Sequence, residues 1–163
     1  MIIKNARRTA VALALVTFAA ASAQAQTANQ TVTFAVNAIN QIAFVGAPSL
    51  TITTAVAGSA PTSATDNSAT WAVTTNQTGA KITASIPLAM PAGLTLSSSL
   101  AAPAGATSAG FLALGTVAVD LVTVITKLAQ GSLGVTYKLD ATAAAGVVAS
   151  GSRVVTYTIT GGT

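Results

Sequence analysis

The sequence predicts an all-β fold, an immunoglobulin-like antiparallel β-sandwich of about seven to nine strands. Three observations predict it: short segments in which apolar and polar residues alternate, turn-forming residues between those segments, and a length that suits one core. The alternate apolar residues of each segment would build the two facing inner surfaces of a sandwich. We therefore expect residues 26–163 to form a single β-sandwich domain.

Residues 1–25 have the organisation of a secretory signal peptide that is removed on export. A basic start precedes an apolar stretch over 9–21, which is shorter than the roughly 20 residues that a membrane span needs. Small residues then allow cleavage after Ala25 or after Ala23. We expect a secreted or cell-surface protein of bacterial type, with no membrane insertion once the signal is removed. The basic residues of the leader are Lys4, Arg7 and Arg8.

The first alternating segment, TVTFAVN over 31–37, lies almost at the new N-terminus. Val32, Phe34 and Val36 fall on one face, with small or polar residues between them, which is the period of a half-buried strand. This N-terminal strand 31–37 has two possible partners. It pairs either within its own sheet or along the exposed edge of a neighbouring subunit.

Further alternating segments predict the remaining strands. Residues 59–69 are rich in turn formers and predict a polar loop, and 77–79 predict a hairpin-like turn. The predicted strands lie at 42–46, 49–58, 70–76, 81–86, 94–100, 111–117, 133–141 and 153–160.

One segment departs from alternation and predicts a short helix near 120–129. Leu121, Ile125 and Leu128 have helical spacing, and Asp120 can cap the start. The β-branched residues of the same segment favour the alternative, another strand.

Removing the leader leaves four basic and three acidic side chains, a net charge of +1. Binding to nucleic acid needs clustered basic groups, and these are scattered, so no nucleic-acid partner is expected. So low a charge density favours association between copies. The charged residues are Lys81, Lys127, Lys138, Arg153, Asp66, Asp120 and Asp140.

The composition offers little for catalysis. The chain has no His and no Cys, and its only carboxylates are three widely separated aspartates. We interpret Asp66 as a turn residue, Asp120 as a helix cap or loop residue, and Asp140 as solvent-facing beside Lys138 or Arg153. No catalytic residue and no cofactor site is predicted. No metal site is predicted either, because calcium needs more carboxylates than TDNS at 65–68 supplies.

The single tryptophan has two interpretations. Trp71 would stack on a sugar if it were exposed, but its alternation with Val73 favours a place in the core.

The leader, the cysteine-free body rich in Thr, Ala and Val, the early alternating strand and the closing RVVTYTITGG resemble small secreted sandwich subunits of bacterial surface fibres. Pilins and biofilm-matrix fibre proteins are the groups concerned. The resemblance covers the mature chain in style and includes no diagnostic motif. It implies assembly by strand exchange and no catalysis.

The sequence therefore favours a non-enzymatic structural subunit that polymerises with copies of itself into a surface fibre, pilus or matrix layer. Val32, Phe34 and Val36 are the predicted self-assembly residues. The alternative is a secreted adhesin or carbohydrate-binding sandwich.

Overall fold

The structure is a computed structural model that describes residues 25–163. The chain divides into two units between Ala35 and Val36. In the first unit, the described residues 25–35 form neither helix nor strand. The predicted leader, apart from Ala25, lies outside the described residues.

The second unit holds the strands of the described chain. A 3₁₀ turn at Ala143–Ala145 is the one helical element within 25–163, and no helix there has the length and apolar composition that crossing a bilayer requires. The strands are β1 (Asn40–Val45), β2 (Ala64–Thr75), β3 (Ala80–Ser85), β4 (Leu94–Leu100), β5 (Thr107–Ser108), β6 (Leu112–Ala113), β7 (Val119–Ile125), β8 (Leu128–Ala141) and β9 (Thr156–Thr160).

These strands form two antiparallel sheets, which confirms the predicted all-β sandwich and its number of strands. The five-stranded sheet has the order β1-β2-β8-β4-β6, and the four-stranded sheet has the order β5-β7-β3-β9. Only β1 and β2 are neighbours both in sequence and in a sheet. From β2 onward, every connection crosses from one sheet to the other.

Alternate residues of both sheets form one core, as the pattern predicts. Trp71 is 1% exposed, so the interpretation of this side chain as a core residue is confirmed. Gly46 follows the last residue of β1 with φ +126°, and an added β-carbon there would lie 2.8 Å from Ala69 Cα, so only glycine fits. The other large core residues are Val73, Ile82, Ile86, Leu100, Leu121, Val122, Ile125, Leu133 and Val135.

The predicted helix at 120–129 is wrong, because these residues form β7 and the start of β8. Irregular pairing with β3 makes consecutive residues Leu121 and Val122 both face the core, together with Ile125. Val124, which lies between Val122 and Ile125, has φ +62° and is exposed. A β-bulge thus reproduces the i, i+1, i+4 burial that is typical of a helix.

The predicted loop at 59–69 is also partly wrong, because β2 begins at Ala64. The register of β2 against β8 shifts between Asp66 and Ala69, so the inward-facing positions change from even to odd numbers there. The Asp66 carboxylate accepts hydrogen bonds from the Ser68 N–H at 2.8 Å and the Ser68 hydroxyl at 2.6 Å. The polar residues that suggested a loop therefore stabilise a bulge.

Two further expectations fail. Residues 49–58 form no strand, and their one ladder contact is an isolated bridge between Ala55 and Pro61. Residues 77–79 are not a hairpin, because they connect β2 to β3 in the opposite sheet. Leu50 still packs partly on the core, which explains why its alternation resembled a strand.

The N-terminal strand predicted at 31–37 is absent from the described chain, because these residues have no ladder partner there. β1 starts at Asn40 instead. Which partner 31–37 takes, the chain's own sheet or a neighbouring subunit, stays a prediction.

Candidate self-assembly site

The structure places the three predicted self-assembly residues in an exposed segment, which we call the N-terminal arm (residues 26–37). Val32, Phe34 and Val36 are 72%, 89% and 80% exposed. Single exposed apolar side chains are normal, but several that share one face mark an interaction surface. The arm therefore carries a strand-like apolar pattern that no ladder within the described residues uses.

The residues that connect the arm to β1 are held by Asn76. The Ile39 N–H donates to Asn76 Oδ1 at 2.8 Å, and Asn76 Nδ2 donates to the Asn37 carbonyl at 2.8 Å. The Asn76 N–H donates to the Ile39 carbonyl at 3.2 Å, which continues the β1–β2 ladder beyond its last pair, Asn40 with Thr75. Residues 37–39 are thus held in line with β1.

A second polar contact fixes the same end of β1. Thr75 Oγ1 donates to Asn40 Oδ1 at 2.7 Å, and Asn40 Nδ2 donates to Gln77 Oε1 at 2.9 Å. These bonds hold the start of β1 against the end of β2 and the residues that follow it.

An open depression of about 350 Å³ lies beside this end of β1. Ile39, Asn76, Lys127 and Leu128 contribute to its lining, so it combines one cation with apolar and amide groups. Among its described lining residues there is no carboxylate, histidine or aromatic ring, and the depression offers no acid–base or stacking chemistry.

The side of the sandwich formed by β1 and β9 is incompletely covered. β1 is an edge of the five-stranded sheet and β9 is an edge of the four-stranded sheet. Their inward-facing residues Ile42, Phe44, Tyr157 and Ile159 are only partly buried, although they pack against the core. This side therefore offers two free backbone edges above an apolar layer.

Aromatic rings join the two sheets on this side. Phe44 of β1 stacks on Tyr157 of β9 with ring centroids 3.9 Å apart, and on Trp71 of β2 at 5.9 Å. Trp71 Nε1 is buried without a hydrogen-bond partner among the described residues. The stack places β9 opposite β1 and fixes which strand edges adjoin each other.

A hydroxyl cluster attaches β9 to the opposite sheet. The Tyr157 hydroxyl donates to the Tyr137 hydroxyl at 2.8 Å and lies 3.1 Å from Ser98 Oγ. Burial raises the pKa of both tyrosines above the ordinary value of 10.0, so the hydroxyls stay neutral. The cluster is structural, because its groups bond to each other.

The three aspartates lie apart and each has local partners. Asp120 pairs with Lys81 at 3.0 Å, which corrects its predicted role as a helix cap or loop residue. Asp140 pairs with Lys138 at 3.0 Å, as expected, and also accepts a hydrogen bond from the Ser63 hydroxyl. Asp66 supports the β2 bulge and does not lie in a turn.

These partners also decide how two of the carboxylates titrate. Hydrogen bonds from Ser68, and then from the Ser49 N–H, lower the pKa of Asp66 below 3.8. The Ser63 hydroxyl, and then Lys138, lower the pKa of Asp140. No group of three potential metal ligands occurs within residues 25–163.

The edges β1 and β9 lack the usual protection against pairing. Neither strand contains a charged residue or a proline, the two common guards of a sheet edge. At the other side of the sandwich, β5 and β6 are only two residues long and offer little to a pairing strand. Alternation alone could not reveal which strands lie at edges, so the sequence analysis missed this side.

Comparison with known proteins gives no relative: no family model, no curated protein and no solved structure matches the chain.

Proposed function

We propose that the protein is a non-enzymatic extracellular structural subunit that polymerises with copies of itself into a surface fibre, pilus or matrix layer. The arm of one copy adds a strand to a sheet edge of the next. The observation that carries this proposal is the exposure of Val32, Phe34 and Val36 in a strand-like pattern without a ladder partner among the described residues.

The apolar side chains of the arm supply part of the free energy of such a contact. Burying three such side chains contributes about 1.5–3 kcal/mol each, or roughly 5–9 kcal/mol before any cost of association. Main-chain hydrogen bonds along the added strand supply register and further stability. Association itself costs about 4–15 kcal/mol, so assembly should depend strongly on protein concentration.

Charge supports the same proposal. The mature chain has a net charge of +1, and the arm and residues as far as 65 contain no charged side chain. Copies therefore repel each other weakly. The proposal includes export through the leader at 1–25 and excludes nucleic acid as a partner.

The second hypothesis, a secreted adhesin or carbohydrate-binding module, has less support. Its best platform for a sugar ring is Trp71, which lies in the core. No described feature favours a sugar over a second copy of the chain.

The test compares two variants that add the same charge to opposite faces of the arm. Phe34→Asp places a carboxylate on the apolar face, and Thr33→Asp places one on the other face. Filaments of the purified mature protein are examined by negative-stain microscopy, and assembled mass is measured by sedimentation. We expect wild type and Thr33→Asp to assemble, and Phe34→Asp to remain monomeric, because a buried unpaired carboxylate is costly.

Circular dichroism of the three proteins serves as the folding control, since both positions are exposed. The proposal is overturned if wild type stays monomeric at high concentration, or if the two variants assemble equally well.

A further inference from the structure

We infer that the acceptor for the arm is the free edge of β9 in a second copy of the chain. This inference rests on the proposed function and specifies its contact. The first observation is the unequal size of the sheets: β9 ends a sheet of four strands that faces a sheet of five. One strand added beside β9 would make the two sheets equal.

The burial of β1 supports this position. Its inward-facing residues Ile42 and Phe44 remain partly exposed, whereas Trp71 and Val73 on the adjacent strand are buried. Because Phe44 stacks on Tyr157 of β9, a strand added beyond β9 would lie next to this stack, at the open side of the core. The apolar face of the arm would thus complete an existing layer.

The sequence patterns of donor and acceptor match. The arm reads TVTFAVN over 31–37 and β9 reads TYTIT, both with small or polar residues on one face and large apolar residues on the other. Neither contains a charge. Side by side, Thr31 and Thr33 would join the outward row of Thr156, Thr158 and Thr160, and Val32, Phe34 and Val36 would join Tyr157 and Ile159.

The rival acceptor is the free edge of β1. Residues 37–39, which Asn76 holds in line with β1, lengthen that edge, and the cross-linking controls below decide between the two edges. The same contacts favour a second copy as the donor. To pair with β9 of its own chain, the arm would have to reverse direction at residues 37–39, and these contacts keep those residues extended. The sheet sizes and the matching patterns thus favour β9 as the acceptor, and the contacts of 37–39 favour another copy as the donor.

The chain contains no cysteine, so engineered cysteines report the contact directly. Two single variants of the full mature protein, Thr33→Cys and Thr158→Cys, are mixed under assembly conditions and oxidised. We expect a disulfide between the two variants, because the inferred pairing brings these outward-facing positions into adjacent strands. Matched controls replace Thr158→Cys by Thr107→Cys on β5 or by Ala43→Cys on β1, both exposed.

The cross-linking yields decide which strand edge accepts the arm. Preferential cross-linking of Thr33→Cys with Thr158→Cys supports the inference. Preferential cross-linking with Ala43→Cys or Thr107→Cys, or equal yields at all three positions, overturns it. A cross-linked monomer from the double variant Thr33→Cys/Thr158→Cys, at a yield independent of protein concentration, also overturns it by showing that the arm pairs within its own chain.

A second pair of variants tests the same acceptor edge without cross-linking. Thr158→Lys introduces a guard charge on β9, and Thr107→Lys introduces the same charge on β5. We expect Thr158→Lys alone to raise the concentration needed for assembly by roughly tenfold or more. If both folded variants assemble like wild type, the acceptor is wrong but the proposed function stands. If wild type does not assemble at all, the proposed function fails first.

Discussion

The three aspartates are the acidic side chains of the whole sequence, and two of them titrate abnormally for a local reason. Asp66 accepts two hydrogen bonds from Ser68 and one from the Ser49 N–H, and these bonds favour the ionised carboxylate. Asp66, whose residue type suggested a turn, thus stabilises a β-bulge through the hydrogen bonds of its carboxylate. Residue identity predicted a polar local role but not its position inside a strand.

Replacing Ser68 with alanine should raise the pKa of Asp66 towards 3.8, because the hydroxyl is the largest cause of its lowering. A lowered pKa stabilises the folded state above the unfolded value and loses that effect as pH falls through the folded value. Ser68→Ala should therefore lose less stability than wild type between about pH 5 and pH 2. Carboxyl NMR titration and acid denaturation measure the two effects.

Ser63→Ala is the matched control for this prediction. It removes the hydroxyl bonded to Asp140 and should raise the pKa of Asp140 while leaving that of Asp66 unchanged. Equal shifts of both carboxyls in either variant would contradict the assignment of separate local causes.

At the scale of the element, alternation predicted most strands but failed where strands bulge. The regular segments around Trp71, Ile82 and Val135 are strands, as predicted. In β7 and β8, residues with positive φ, Val124 and Ser132, accompany changes in which positions face the core. Because valine rarely adopts φ +62°, the tertiary structure overrides local preference there, and sequence reasoning had no signal for it.

The edge strand β9 shows how one polar group can hold an element in place. Its Tyr157 hydroxyl bonds to Tyr137 and Ser98 in the other sheet. Alternation predicted that both tyrosines point inward but not that their hydroxyls meet. These bonds hold β9 against the opposite sheet, which its proposed role as an acceptor strand requires.

Replacing Tyr157 with phenylalanine should lower the free energy of unfolding by about 1–3 kcal/mol, because two partner hydroxyls lose their common bond. Tyr137→Phe should cost less, since Tyr157 keeps Ser98. Denaturant unfolding of both single variants and the double variant measures the coupling, and additive losses would show that the two hydroxyls do not interact.

The same tyrosines predict behaviour at alkaline pH. A raised pKa stabilises the folded state below the unfolded value of 10.0, and this contribution is lost as pH rises above it. Ultraviolet titration of the wild-type protein should therefore show tyrosinate appearing together with unfolding, not before it.

At the scale of the whole molecule, the connections determine what sequence patterns could not predict. Every connection after β2 crosses between sheets, so nearly every ladder joins segments distant in sequence. Such non-local pairing is expected to fold slowly, in milliseconds to seconds. Alternation identifies the faces of a strand but not its neighbours. Consequently the fold class and the arm's apolar residues were predictable, whereas the open β1–β9 side and the hydrogen bonds between Asn76 and residues 37–39 were not.

The distribution of charge over the molecule leads to the last prediction. The proposed donor and acceptor are both free of charge, and the described ion pairs, Lys81 with Asp120 and Lys138 with Asp140, are satisfied within one chain. Screening by salt should therefore change little in the contact between copies. Sedimentation of assembled protein between about 50 mM and about 500 mM NaCl should give nearly constant yields.

A matched variant shows that this measurement is sensitive. Thr158→Lys places a positive charge at the proposed acceptor edge of every copy, so its residual assembly should increase as salt screens repulsion between neighbouring charges. A wild-type yield that falls steeply with salt would mean that ion pairs hold the copies together. The contact would then have to lie on the charged outer faces of the sheets, where Lys138 and Asp140 are found, and not along the uncharged edge of β9.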